Sequence, residues 1–305
     1  MVMIDEVRGS THRTPDERGV WVVGIDGSTC STNALAWAAA NSPGRAAELE
    51  LVTAWQAPVV GASAMSGPMT QPFADDELHD RAAADLSSLA TDLDDRIELS
   101  VTAAVGRGGP AEVLLEASSN ASMLVIGSRG RGGFARLLLG STSTQCATHA
   151  NVPTVVVPSE VETVRVDTML VGFDGSPNSI RALTWAMEFA APDTTIVVAW
   201  VWDATPLAVG ADAFFFPDAS DLAAERFHHL VESVESEHGR DDITVVREFL
   251  RGTPRSALAE HAEHADLVVV GARGHGVVGA ALLGSVSTWL LHHVHRPIAV
   301  IPLPG

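Results

Sequence analysis

The sequence contains no lysine, so all 19 of its basic residues are arginine. A Walker A phosphate loop needs a lysine to reach the β- and γ-phosphates, and Schiff-base catalysis needs a lysine amine. Proteins with a Walker A loop and enzymes that form a Schiff base through lysine are therefore excluded. Cysteine is almost as scarce, because Cys30 and Cys146 are the only two and do not form a C-x-x-C pair. This usage favours a reducing cytoplasm over a disulfide-stapled secreted fold.

Long apolar runs and clusters of positive charge are also missing. No stretch approaches the ~20 apolar residues of a membrane span, and the first residues lack the apolar core of a signal peptide. The formal net charge is −19, and the arginines are scattered singly, so a polyanion would be repelled. We therefore expect a cytoplasmic protein that binds neither membranes nor nucleic acids.

What the sequence does contain is an internal repeat. VVGIDGS at residues 22–28 returns as LVGFDGS at 170–176, and LLLGSTST returns as ALLGSVST. Between these landmarks, apolar β-branched runs alternate with Ala- and Leu-rich helical stretches, which is typical of βαβ units and a parallel sheet. For the first half we predict strands near 20–26, 49–55, 97–105, 122–127 and 153–157, and helices near 29–41, 73–91, 110–119 and 140–150.

The repeat divides the chain into two domains of ordinary size. We predict a flexible N-terminal tail over 1–18, a first domain over 19–158, a linker over 159–166 and a second domain over 167–305. A long loop follows the second strand of each half. The loop of the second half contains Phe214, Phe215 and Phe216, which could form the underside of a lid, a partner contact or ordinary packing.

Each half also carries the pattern Gly, two residues, Gly, nine residues, Gly, Ser between an apolar strand and a helix. These residues are Gly127, Gly130, Gly140 and Ser141, and again Gly271, Gly274, Gly284 and Ser285. Glycine lets main-chain N–H groups approach phosphate oxygens. The serine is expected to cap the following helix, whose free N–H groups favour an anion. The alternative is a glycine loop kept only for its tight turns.

The position of these glycines argues against a dinucleotide site. GHGVVG, which begins at Gly274, satisfies the G-x-G-x-x-G pattern. That pattern belongs after the first strand of a dinucleotide-binding fold, whereas here it follows the fourth. After the first strand of each half stand Asp26 and Asp174. Their carboxylates could hold a ribose hydroxyl or a metal ion bridging phosphates, or could simply help to cap a helix.

Together these residues resemble the universal stress protein family in its ATP-binding tandem form, over nearly the whole chain from about Val20 to Pro302. The resemblance implies an α/β protein of two Rossmann-like (adenine nucleotide α-hydrolase-like) domains, each with a five-stranded parallel sheet flanked by helices. It also implies pairing through the last strands, TVVVP and IAVIP. That pairing would join either the two domains of one chain or the chains of a homodimer.

The resemblance further implies which residues bind ATP, with Mg or Mn bridging the phosphates near Asp26 and Asp174. In the first half the predicted adenine contacts are Gly24, Ile25, Asp26 and Ala54, and the predicted phosphate contacts are Gly127, Gly130, Gly140, Ser141 and Thr142. The matching residues of the second half are Gly172, Phe173, Asp174, Ala199, Gly271, Gly274, Gly284, Ser285 and Val286. Arg129, Arg131 and Arg273 could pair with phosphate oxygens or face solvent.

No catalytic motif accompanies these loops. The sequence has no nucleophile elbow, no HExxH and no set of kinase motifs, and His261 and His264 lack further metal ligands at suitable spacing. We therefore predict an ATP-binding regulator of a stress or growth response without a catalytic centre. Two alternatives remain open: a slow ATPase, and a scaffold protein whose nucleotide pockets are vestigial.

Overall fold

The structure is a computed structural model that describes residues 3–6, 19–56, 75–131, 139–161, 165–203, 218–274 and 283–303. The aromatic run at 214–216 and the middle of each glycine loop lie outside them.

The first half contains the predicted strands and helices and one additional strand at its start. In chain order its elements are β1 (Met3–Glu6), β2 (Val20–Gly24), α1 (Thr29–Asn41), β3 (Glu48–Trp55), α2 (Asp75–Asp94), β4 (Ser100–Arg107), α3 (Pro110–Ala117), β5 (Met123–Gly127), α4 (Ser141–His149) and β6 (Thr154–Val157).

The second half repeats this order without the additional strand. Its elements are β7 (Thr168–Gly172), α5 (Pro177–Phe189), β8 (Thr195–Trp202), α6 (Asp218–His238), β9 (Thr244–Arg251), α7 (Pro254–Ala262), β10 (Leu267–Gly271), α8 (Ser285–His293) and β11 (Ile298–Ile301).

The described strands form one sheet in the order β1-β4-β3-β2-β5-β6-β11-β10-β7-β8-β9. Five neighbouring strands in each half run parallel, as predicted. The halves join where β6 and β11 pair antiparallel, with Ile298 opposite Val156 and Val300 opposite Thr154. The last strands thus pair within the chain, and neither has a free edge left for a second copy.

The strand β1 corrects the predicted flexible tail over 1–18 at residues 3–6, the part of it that the structure describes. It runs antiparallel to β4, with Met3 opposite Arg107 and Glu6 opposite Ala104. Four residues with mixed polarity carry no periodicity that sequence inspection could detect. Their extended conformation depends on the backbone groups of the β4 edge, which lie about a hundred residues away in the chain.

Helices cover both faces of the sheet, which explains why central strands such as β5 and β10 are apolar throughout. Successive residues point to opposite faces. Val23 and Val125 belong to the layer that also contains residues of α1, α2, α5 and α6, whereas Val22 and Leu124 belong to the layer with residues of α3, α4, α7 and α8. Each of these two layers contains residues from both halves. The tandem repeat therefore shares its core across the junction.

The helix starts agree with the predicted pattern at the first turn but not at the glycine loop. Ser28 caps α1 by accepting a hydrogen bond from the Ser31 N–H at 3.2 Å, as expected for serine. At the glycine loop, Ser141 and Ser285 were expected to cap their helices but are the first helical residues. The preceding glycines occupy the extended N-cap position without a side-chain bond.

Aromatic stacking joins the two halves beside β6 and β11. Phe189, at the end of α5, stacks on Trp37 of α1 with the ring centroids 6.1 Å apart and the planes 4° from parallel. Arg45 lies over the same ring at 4.4 Å and donates through Nε to the Phe189 carbonyl at 2.6 Å. The Asn41 Oδ1 accepts from the Val166 N–H at 3.0 Å.

None of the described helices is both long and apolar enough to cross a membrane.

Candidate functional site

In each half, the loops after the first and fourth parallel strands meet at the carboxyl edge of the sheet. A cavity opens there, at the place where ligands bind in sheets of this type. Its volume is about 120 Å³ in the first half and about 420 Å³ in the second.

Most of the predicted site residues line these cavities. In the second half all ten do: Gly172, Phe173, Asp174, Ala199, Gly271, Arg273, Gly274, Gly284, Ser285 and Val286. In the first half the lining includes Gly24, Ile25, Asp26, Ala54, Gly127, Arg129, Gly130 and Thr142. Gly140 and Ser141 do not line the smaller cavity. The Gly140 N–H instead donates to the Ser128 carbonyl at 2.7 Å.

The cavities also have an apolar end that the sequence analysis missed. Its residues are Val52, Pro110, Leu114 and Ile126 in the first half, and Val201, Pro254, Leu258 and Val270 in the second. A signal for them existed in the sequence. In both halves a proline opens a helix and a leucine follows four residues later, which places the two on the same helix face.

The strand register corrects one predicted pair of equivalent residues. In each half, the glycine that ends the first parallel strand is level with one residue of the second strand. That residue is Val52 in the first half and Ala199 in the second. Ala199 therefore corresponds to Val52, and Ala54 corresponds to Val201. Matching Ala54 with Ala199 was wrong because similarity of residue type does not report how strands align across a sheet.

Asp26 connects the two loops of the first site. Its Oδ1 accepts from the Ser28 N–H at 3.0 Å and its Oδ2 from the Arg131 N–H at 3.1 Å. Burial raises the pKa of Asp26, but hydrogen bonds from Ser28, Ser31 and Arg131 outweigh it and hold the pKa below its ordinary value. The carboxylate is therefore ionised at neutral pH. A Cβ added to Gly130 would lie 2.5 Å from Oδ2, so glycine is needed for this close contact.

Asp174 has the same place in the second site. Its Oδ1 accepts from the Ser176 N–H at 2.9 Å, and a Cβ on Gly274 would lie 2.5 Å from its Oδ2. Ser176 in turn caps α5 by accepting from the Ser179 N–H at 3.3 Å. Each half thus places a carboxylate against the second glycine of its loop.

Hydrogen bonds from the following helix close each glycine loop. The Ser287 Oγ donates to the Gly271 carbonyl at 2.8 Å, and the Gly284 N–H donates to the Ala272 carbonyl at 2.7 Å. These bonds hold the start of α8 beside the end of β10. Because the first N–H groups of a helix have no partner within it, this end of the cavity, which Ser285 helps to line, is favourable for an anion.

The repeated geometry has a counterpart in known proteins. The sequence pattern described as the universal stress protein family matches residues 21–158 and, a second time, residues 165–302. The chain belongs to the universal stress protein family. Its two matches cover both halves of the sheet and both cavities.

Two universal stress proteins with curated descriptions are similar along almost their whole length. One from Mycolicibacterium smegmatis is 32% identical over 287 residues, covering 92% of this chain and 96% of the relative. One from Mycobacterium tuberculosis is 31% identical over 288 residues, covering 92% and 95%. The crystal structure of a universal stress protein from Archaeoglobus fulgidus has a TM-score of 0.65 at 21% identity, covering 93% of this chain and 98% of that one. That likeness supports the fold.

The loop arginines of this universal stress protein differ in their surroundings. Arg129 lines the first cavity, and its Nη2 donates to the Ser159 Oγ at 2.6 Å. Arg273 lines the second cavity. Arg131 is exposed, but its guanidinium lies over Gly27, where a Cβ would collide with it. The φ of Gly27 is +72°, which also favours glycine at this position.

Side chains arranged to bind a metal directly are not found in the described part of the chain, where no group of three or more His, Cys, Asp or Glu could hold an ion. His261, on α7, instead has Nε2 3.2 Å from a carboxylate oxygen of Glu248. Its Nδ1 lies 2.9 Å from the Ala257 carbonyl.

Proposed function

We propose that this universal stress protein binds ATP at its glycine loops and works as a nucleotide-dependent regulator of a stress or growth response. The observation that carries the proposal is the second cavity. Its volume of about 420 Å³ lies in the range of roughly 300–1,000 Å³ that is usual for small-molecule sites. Its apolar end suits a purine base, and its other end, at Gly274 and the start of α8, suits phosphates.

A divalent cation, Mg²⁺ or Mn²⁺, would enter this site with the nucleotide. The carboxylate of Asp174 fits such an ion, because carboxylate oxygen is a preferred ligand and because Oδ2 lies against the Gly274 turn. Asp26 has the same position in the first half. The ion would neutralise part of the phosphate charge beside these carboxylates.

A regulatory role is favoured by the chemistry of the lining. Among the described residues that line the second cavity, Asp174 and Arg273 are the ionisable ones, and His, Cys and Glu are absent. A hydrolase needs a positioned acid, base or nucleophile. We therefore propose that bound ATP shifts a conformational equilibrium rather than being turned over. Both cysteines are free and buried, which suits the cytoplasm, where we place this binding.

The test is calorimetric titration of the full chain with MgATP, using Ser285→Asp as the disruptive variant. Ser285 is exposed at the first position of α8, where a carboxylate interacts favourably with the helix dipole, so the fold should be retained. The same carboxylate would repel the phosphates by about 2–3 kcal/mol at an intermediate effective dielectric constant, which weakens binding in the second half roughly 30- to 150-fold.

Ser285→Ala is the matched control, since it removes the hydroxyl without adding charge, and it should bind within a few-fold of the parent. Absence of MgATP binding by the parent would refute the proposal. So would binding that Ser285→Asp and the equivalent Ser141→Asp leave unchanged even in combination. Phosphate release over many turnovers that both changes abolish would instead favour the ATPase alternative.

A further inference from the structure

The two cavities differ more than 3-fold in volume, about 120 Å³ against about 420 Å³, although their surrounding backbone follows the same plan. Both contain the proline and leucine of the third helix, the Asp of the first turn and the first two glycines of the loop. Thr142 stands where the second half has Val286, and these two side chains have nearly the same size. The cause of the difference therefore lies elsewhere in the lining.

The strands beneath the apolar end carry different residues in the two halves. The Val52 carbonyl accepts from the Ile25 N–H at 2.8 Å, and the Ala199 carbonyl accepts from the Phe173 N–H at 2.9 Å. Val52 and Ala199 are therefore structural equivalents. One residue before the first loop glycine stands Ile126 in the first half, and Val270 in the second.

Ala54 and Val201 are also equivalent and line the cavities, so valine and alanine exchange places on this strand, and the net gain in the first half is the one carbon atom of Ile126. The valine of the first half, Val52, is level with Gly24, whereas Val201 lies two residues beyond the position that is level with Gly172.

Ile126 and Leu114 crowd the floor of the first cavity. A Cβ built on Gly24 would lie 3.1 Å from both Ile126 Cγ2 and Leu114 Cδ1, and 3.2 Å from Leu114 Cδ2. A Cβ built on Gly172 would lie 3.2 Å from the nearest atom of Val270, and 3.3 and 3.9 Å from the two methyl carbons of Leu258. Leu114 thus covers its glycine more closely than Leu258 does.

The phosphate ends of the two cavities share the same hydrogen-bonded frame, although Gly284 and Ser285 line the second cavity and Gly140 and Ser141 do not line the first. Each has a carboxylate 2.5 Å from the Cβ position of its second loop glycine. Each has a serine hydroxyl that donates to the carbonyl of the first loop glycine at 2.8 Å. In each, the N–H of the third loop glycine donates at 2.7 Å to the carbonyl of the residue that follows the first loop glycine. Because this frame is shared, we expect most of any difference in ligand binding to come from the base.

We infer that the two sites are not equivalent: the second half holds the tight ATP site, and Val52 and Ile126 obstruct the purine end of the first. This inference rests on the proposed function, because it specifies which half binds the whole nucleotide. One methylene in an apolar pocket can change binding roughly 10- to 200-fold. The extra carbon of Ile126, together with a valine level with Gly24, should accordingly weaken ATP binding in the first half at least tenfold relative to the second.

The experiment isolates each half in the full chain. Ser141→Asp leaves the second site to be titrated, and Ser285→Asp leaves the first. With MgATP, we expect the second site to bind at least tenfold more tightly. With inorganic triphosphate and Mg²⁺, which have no base, the two halves should bind within a few-fold of each other.

Reciprocal substitutions then test the cause. Val52→Ala with Ile126→Val, made in the Ser285→Asp protein, should tighten MgATP binding in the first half about tenfold or more. Ala199→Val with Val270→Ile, made in the Ser141→Asp protein, should weaken MgATP binding in the second half by a similar factor. Melting temperatures show that each variant is folded, and the triphosphate titration shows that its phosphate end is intact.

The results separate this inference from the proposed function. Equal MgATP affinities in the two halves, or an exchange that leaves them unaltered, would overturn the inference and leave ATP binding standing. A preference for one half that triphosphate shows as strongly as ATP would also overturn it, because the base would then play no part. Absence of MgATP binding in both halves would overturn both proposals.

Discussion

Phe189 provides the sharpest test of how the two halves support each other. Although it belongs to the second half and is 6% exposed, its ring stacks on Trp37 and Trp21 of the first half with centroids 6.1 Å away in each case. Trp185 stacks on it at 4.7 Å, and Arg45 covers it at 4.4 Å. Phe189→Ala should therefore destabilise both halves.

The expected loss is large. Truncating a buried phenylalanine to alanine costs about 3–5 kcal/mol, and loss of the half-buried Arg45 from the ring face adds about 0.5–1 kcal/mol. The total of about 4–6 kcal/mol is a substantial part of the roughly 5–15 kcal/mol by which proteins are stable. For a chain of this size it corresponds to a fall in melting temperature on the order of 10 °C.

Hydrogen exchange measured by mass spectrometry locates the loss. Phe227→Ala is the matched control, because Phe227 is 0% exposed and its aromatic partners Phe173, Trp200 and Phe249 belong to its own half. In Phe189→Ala, amide protection should fall in α1 and β2 as well as in α5. In the control, the loss should concentrate in the second half. Unchanged protection of α1 and β2 in Phe189→Ala would refute the shared core.

Three further predictions concern single groups. The pKa of Asp26 is lower in the folded protein than its ordinary value of 3.8. Its carboxylate therefore stabilises the fold above that pH, and this contribution disappears as the pH falls through the folded pKa. Asp26→Asn should flatten the acid limb of the curve of unfolding free energy against pH, and an unaltered limb would contradict this. Burial raises the pKa of Cys146 to about 12, so iodoacetamide at pH 8 should label this thiol in urea but not in the native protein, as mass spectrometry would show. Ser287→Ala leaves the Gly271 carbonyl without its 2.8 Å hydrogen bond and should cost about 1–2 kcal/mol in urea unfolding, whereas Ser285→Ala should cost less than about 0.5 kcal/mol.

Local signals explain why so much of the fold could be predicted. Strands such as Met123–Gly127 are apolar at every position, as strands buried on both faces must be, and glycine and proline mark where elements begin or end. The predicted site residues line the cavities for the same reason. Carboxyl ends of parallel strands meet at one edge of the sheet, so loops far apart in sequence necessarily converge there.

The errors arose where a residue's role depends on a distant neighbour. Ser141 looked like a helix cap, but the loop is closed by Gly140 bonding to Ser128, which places the serine one position inside the helix. The strand β1 forms only against the edge of β4. Ala54 and Ala199 looked equivalent until the backbone pairing between strands showed a two-residue offset.

The amino-acid sequence by itself determined that this protein has two α/β domains with a glycine loop and an acidic first turn in each, because periodicity and turn chemistry act over a few residues. The tertiary structure alone decided that β6 and β11 merge the halves into one sheet, that Phe189 packs against the opposite half, and that the two cavities differ in size. Those features depend on register and side-chain packing between strands far apart in the chain. The free volume left between such side chains follows from their packing and is not encoded in any short stretch of sequence.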